Sequence, residues 1–207
     1  NGKILKEKIF NKLWIQPAAG DAGGALGVAM CIWHQMLDNK RRVKEGDAMK
    51  GSYLGPSFSD ESIREFLEDR EASYRQLSND ELAQTVASHV KQSKVVGWFQ
   101  GRMEFGPRAL GSRTIIGDAR SPDMQKKLNL KIKFRESFRP FAPSIRAENI
   151  SDYFEIDRES PYMLLVANVQ KDKQVAMSEE QKSYFGLEKL NVVRSEIPAI
   201  THVDYSA

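Results

Sequence analysis

The sequence predicts an α/β or α+β fold built on a central sheet. Three compact apolar runs of strand length, Val95–Gln100, Thr114–Gly117 and Tyr162–Ala167, alternate with stretches of helical spacing that open on capping residues. A hydrophobic content of 41% with 29% charged residues is that of an ordinary globular chain of 207 residues.

Taken in order, Leu13–Ile15 is a short strand candidate ending at Pro17. The small-residue run Ala18-Ala19-Gly20-Asp21-Ala22-Gly23-Gly24 then turns into a helix expected from about Ala22 to Leu37. Glycine lets such a turn approach a ligand closely, and the following helix N-terminus favours anions. Asp38 to Lys50 is polar and charged, and Tyr53-Leu54-Gly55-Pro56 is turn-rich. Ser59 is placed to cap a helix whose Ile63, Phe66 and Leu67 share one face. Ser78-Asn79-Asp80-Glu81 reads as a capping box ahead of Leu82, Val86 and Val90. Ser121-Pro122-Asp123 opens a further short helix.

Composition excludes several classes. No apolar run approaches the ~20 residues of a membrane helix, and the N-terminus lacks a signal-peptide layout. The single cysteine, Cys31, can make no internal disulfide; in its apolar stretch it reads as a small buried hydrophobe in a reducing cytoplasm. Both ends fall in mid-pattern and read as cuts.

Net charge is +3 but uneven. From Arg102 to Arg146, eleven cations face four carboxylates, a balance of +7, while the remaining 20 cations and 24 carboxylates leave −4. The basic character is therefore local, as a site would make it. Its first half is Gly101-Arg102-Met103-Glu104-Phe105-Gly106-Pro107-Arg108-Ala109-Leu110-Gly111-Ser112-Arg113, in which glycines and a proline exclude a helix interior and arginine forks suit phosphate oxygens. Its second half runs from Lys131 to Pro143. If extended, it would point Lys131, Lys133 and Arg135 to a ligand and Ile132 and Phe134 to the core. Basic residues among aromatics also describe a nucleic-acid groove, but two short motifs suit a pocket for one polyanion better.

These strings, with Gln16–Gly23, Tyr53–Pro56, Phe138-Arg139-Pro140-Phe141-Ala142-Pro143 and Ile197–Asp204, closely resemble the O-carbamoyltransferases of the nodulation and antibiotic-tailoring type, over nearly the whole chain. One departure is Ser112-Arg113-Thr114, where that family usually has Asn-Arg-Ser. The resemblance implies a remnant of an actin/Hsp70-like (Kae1-like) domain at 1–45, a linker at 46–57, and at 58–207 a YrdC-like domain, C-terminally truncated, with a central mixed sheet flanked by helices. It implies that carbamoyl phosphate and ATP, with Mg, are joined into carbamoyl adenylate for transfer to a hydroxylated small-molecule acceptor. The fragment alone would lack full transfer activity. Arg108, Lys133 and Arg139 match the basic positions that hold carbamoyl phosphate and nucleotide phosphates. Arg102, Arg113 and Arg135 are open between supporting that site and lying on the surface, and His202 lies in a His-Val-Asp motif near it. Glu104 and Glu136 are candidates to hold an arginine. Asp21 matches a ligand for iron or another divalent metal, completed only in the intact protein by residues of the N-terminal domain. The alternative from another class is a YrdC-like module that binds tRNA or double-stranded RNA.

Overall fold

The computed structural model describes residues 1–43 and 45–207; Lys44, within the charged run, lies outside them. Eight α-helices and one antiparallel pair of strands follow in the order α1 (Gly2–Lys6), α2 (Asp21–Cys31), α3 (Asp60–Asp69), α4 (Asn79–Lys91), β1 (Val96–Phe99), β2 (Arg113–Ile116), α5 (Met124–Lys127), α6 (Ile150–Tyr153), α7 (Glu179–Ser183) and α8 (Gly186–Leu190). Wide π-type turns extend α2 through Ile32–Met36 and α5 through Leu128–Ile132.

Local signals placed α2 to α5, while the short helices α1, α6, α7 and α8 were not predicted. Ser59 accepts the Ser62 amide at the start of α3, and Ser78 with Glu81 closes the capping box of α4 in both directions. The start of α5 differs: Asp123 stands at its N-cap, and Ser121 contributes only its carbonyl, to the Met124 amide.

The mixture of helices and strands is as expected, but the described residues form no central mixed sheet. Among the described residues the sheet has two strands, with Val96 opposite Ile116 and Phe99 opposite Arg113. Leu13–Ile15 is irregular, and a three-residue run without a partner strand cannot satisfy its backbone groups as a sheet. Tyr162–Ala167 is irregular too. Met163 takes φ +53° and Val166 faces solvent, and only the end of the run pairs, through Ala167 with Ala207 and Val169 with Tyr205.

The core forms at that end. Phe154, Ala167, Val169, Ile197 and Ile200 make one buried cluster, and Met124, Leu128 and Ala199 another. Phe141 packs against both and so ties the second basic segment to the interior. Gly117 lies so close to α5 that a Cβ there would come within 2.8 Å of the Met124 sulfur. The N-terminal part contrasts: α2 buries no residue, and its extension leaves Trp33 54% and Met36 75% exposed. Cys31, expected inside, is exposed, on a helix that buries no residue.

Candidate functional site

The first basic loop leaves β1 at Gly101 and returns to β2 at Arg113. Gly101, Gly106 and Gly111 take positive φ, which reverses the chain at little steric cost. Glu104, 7% exposed, holds the loop closed from within: its Oε1 accepts the amides of Leu110 (2.8 Å), Ser112 (2.7 Å) and Arg113 (3.1 Å). Burial by itself would raise this carboxyl, but those N–H bonds outweigh it and hold the group below its ordinary range. The expectation that Glu104 holds an arginine is thus corrected, for its partners are backbone amides.

Residues 52–56 run alongside as a strap. Phe105 N–H donates to Ser52 O (2.6 Å), Gly55 N–H to Met103 O (2.9 Å), Met103 N–H to Pro56 O (2.9 Å), and the Tyr53 hydroxyl to Leu110 O (2.6 Å). From the other side Ala18 presses on Gly106, where a Cβ would come within 2.5 Å of the alanine methyl. Between the glycine-rich turn and the loop lies a cavity of about 200 Å³, with Arg108, Ala18, Gly20, Ser52, Leu110 and Tyr162 among its walls. Tyr162 donates to Asp47 and accepts the Gly51 amide (3.0 Å); burial and then the Asp47 carboxylate push its hydroxyl up to about 12.

The second basic loop follows α5 and is irregular, not extended. Phe134 is 85% exposed and Ile132 also faces solvent, so the anchor is Phe141, not these two as the alternation predicted. The fully buried Asn129 ties this loop. Its amide donates to Ser137 O (3.0 Å) and Arg139 O (2.8 Å), and its Oδ1 accepts Arg135 Nε (2.7 Å). Arg139 pairs with Glu136 at 3.2 Å, so Glu136 does hold an arginine, and that pairing helps keep Glu136 below its ordinary range. Glu136's own backbone amide is the larger cause.

A larger cavity, about 410 Å³, lies beside this loop, with Phe138, Pro140, Leu187, Leu190 and His202 in its wall. His202 Nδ1 lies 3.1 Å from Ser206 Oγ, whose proton goes to Asp204 (2.7 Å); Nδ1 therefore carries hydrogen in the neutral ring, and the buried Nε2 has no partner. Buried Arg194 fixes the surrounding chain by donating to the carbonyls of Lys189, Thr201 and His202.

The cations expected to converge do not share either of these cavities. Arg108 lines the smaller and His202 the larger, while Lys133 and Arg139, both exposed, line neither. Arg113 spends its guanidinium on Gln100 O (2.9 Å), Gly101 O and Ser112 O, 3.5 Å above the Phe99 ring. Arg135 is held by Asn129 and lies 5.0 Å over Phe141, and Arg102 reaches Leu54 O at 3.4 Å. Arg108 and Lys133 make no side-chain hydrogen bond among the described residues. Asp21 stands exposed at the first position of α2, and no group of three or more His, Cys, Asp or Glu residues among the described residues could hold a metal ion. A divalent ion there would need ligands from elsewhere. Asn129 and the Asp47–Tyr162 pair were not foreseen, and no local pattern marks them; Tyr53 stood out only as part of a turn-rich string, without its role.

Both basic loops fall within the part of the chain that a known family covers. The family model described as "Carbamoyltransferase C-terminus" matches residues 87–207. An uncharacterized protein of Synechocystis is 57% identical over 209 residues, covering 100% of this chain and 34% of its own length. Nodulation protein NolO of Bradyrhizobium diazoefficiens is 37% identical over 84% of the chain and 32% of its own length. The 3'-hydroxymethylcephem-O-carbamoyltransferase of Streptomyces clavuligerus is 30% identical over 96% of the chain and 31% of its own. The chain thus spans about a third of the length of these relatives.

Proposed function

From the premise that the chain belongs to the carbamoyltransferase C-terminus family, we propose that it is the carbamoyl-activating part of an O-carbamoyltransferase. Residues 58–207 form that part, in a YrdC-like manner, and residues 1–45 belong with a Kae1-like domain. Carbamoyl phosphate gives its phosphate to water, and the carbamate oxygen so freed attacks the α-phosphorus of ATP and expels pyrophosphate. An acceptor hydroxyl then attacks the carbamoyl carbon, losing its proton and expelling AMP. A hydroxylated small molecule as acceptor is supported by the name of the Streptomyces relative. The divalent metal expected at Asp21 belongs, in this reading, with the longer relatives' additional sequence, and no step here runs through it.

One observation carries the proposal: Arg108, a guanidinium with no hydrogen-bond partner among the described residues, stands in the wall of a small cavity bordered by a glycine-rich turn. Charge leaving as phosphate is best stabilised by such a preplaced cation. Lys133 and Arg139, on the second basic loop, are the cations proposed to meet the rest of the phosphate chain.

The test is ATP–pyrophosphate exchange by the full-length protein in the presence of carbamoyl phosphate. Exchange that depends on carbamoyl phosphate, and that falls at least about a hundredfold in Arg108→Ala, supports the reading. Absence of exchange, or an unaffected Arg108→Ala variant, overturns it.

A further inference from the structure

We infer that Glu104 is a positioning residue whose carboxylate fixes the arc that carries Arg108, and so sets where that guanidinium meets a phosphate. The inference rests on the proposed reading of Arg108 and concerns how its place is determined.

The arc from Phe105 to Ala109 is closed at its base by Glu104, which receives the amides of Leu110, Ser112 and Arg113 on one oxygen. Its two ends are tied to the strap, Phe105 N–H to Ser52 O and Leu110 O to the Tyr53 hydroxyl. Gly106 at φ +105° sits against Ala18 with no room for a Cβ. Arg108 itself makes no side-chain bond among the described residues, so its location follows the backbone, and the backbone is held by Glu104. Three convergent N–H groups also form a seat that anions seek. Glu104 fills that seat from within, which leaves an incoming phosphate to Arg108 and not to the loop's own amides. The carboxylate acts through the loop and touches no reacting atom.

The full-length protein and its variants are compared by equilibrium titration with carbamoyl phosphate and with ATP, each first shown to be folded by its thermal transition. Glu104→Ala should bind carbamoyl phosphate roughly tenfold or more weakly, since charge-assisted hydrogen bonds are lost. Glu104→Gln, which keeps an acceptor oxygen, should stay within about threefold. Added formate should restore part of the affinity of Glu104→Ala by entering the vacated seat. The double variant Glu104→Ala/Arg108→Ala should bind no more weakly than Arg108→Ala, because the one residue works through the other. Should Glu104→Ala fail to fold, Tyr53→Phe, which releases the same arc at Leu110, takes its place with the same expectation of non-additivity. A folded Glu104→Ala that binds like the wild type, or a loss of equal size in the Arg108→Ala background, overturns this inference and leaves the proposed function standing. A wild-type protein that binds neither ligand overturns both.

Discussion

The loop at 101–113 and the loop at 133–141 each carry arginines, and each is tied from within by one buried polar side chain, but the two ties differ in kind. Glu104 is ionised and gathers three amides on one oxygen, whereas Asn129 is neutral and joins two carbonyls to a guanidinium. Their apolar supports differ as well. Arg135 lies over Phe141, which reaches both core clusters, while Arg113 lies over Phe99, which is 58% exposed. The second loop is therefore anchored through packing and the first through hydrogen bonds around a charge. The cation that lines a cavity belongs to the loop held by charge.

The difference can be broken or sharpened by substitution. Phe141→Ala should cost about 3 kcal/mol in urea unfolding, as loss of a ring shared by two clusters does; equal costs at Phe141 and Phe99 would erase the contrast. Asn129→Ala should cost about 2 kcal/mol in the same measurement, because Ser137 O and Arg135 Nε lose their partner together and Arg139 O keeps only Gln125. Phe99→Ala, which removes an exposed ring shared by Arg113 and Phe58, should cost about 1 kcal/mol or less.

The smallest effect depends on pH and belongs to one loop alone. Glu104 has a folded-state value below its ordinary 4.5, so its contribution is present above that ordinary value and lost as pH falls through the lowered one. Hydrogen-exchange protection at Leu110, Ser112 and Arg113 should fall in that acidic window, and Glu104→Gln should abolish the pH dependence. Asn129 has no proton to gain, so the 133–141 loop owes no such dependence to its tie.

Sequence reading found what is encoded locally. Ser59, the Ser78–Glu81 box and the strands around Gly101 and Thr114 depend on neighbours a few residues away, and the structure has them. It failed where a side chain's partner lies elsewhere. Lys131 to Arg135 alternates like a strand, but Leu128 and Asn129 are drawn inward and continue α5 as a wide turn, which breaks the alternation. Tyr162–Ala167 is apolar enough for a strand, yet Tyr162 turns to Asp47 and only Ala167 enters the core. At Glu104 the residue was singled out but its task was not, because backbone amides leave no mark in a sequence. The two basic motifs were legible as composition; which guanidinia are committed to carbonyls and which remain available, as Arg108 does, required the fold.

Cys31 sits on the exposed helix α2, its Sγ 3.2 Å from Gln35 Oε1, and the sequence holds no second cysteine. Within these 207 residues a maleimide fluorophore would therefore attach at one known position, without engineering, on the same helix whose first turn borders the glycine-rich wall of the Arg108 cavity. Stored without reductant, the same thiol would join molecules in pairs, and a gel run with and without dithiothreitol would show it.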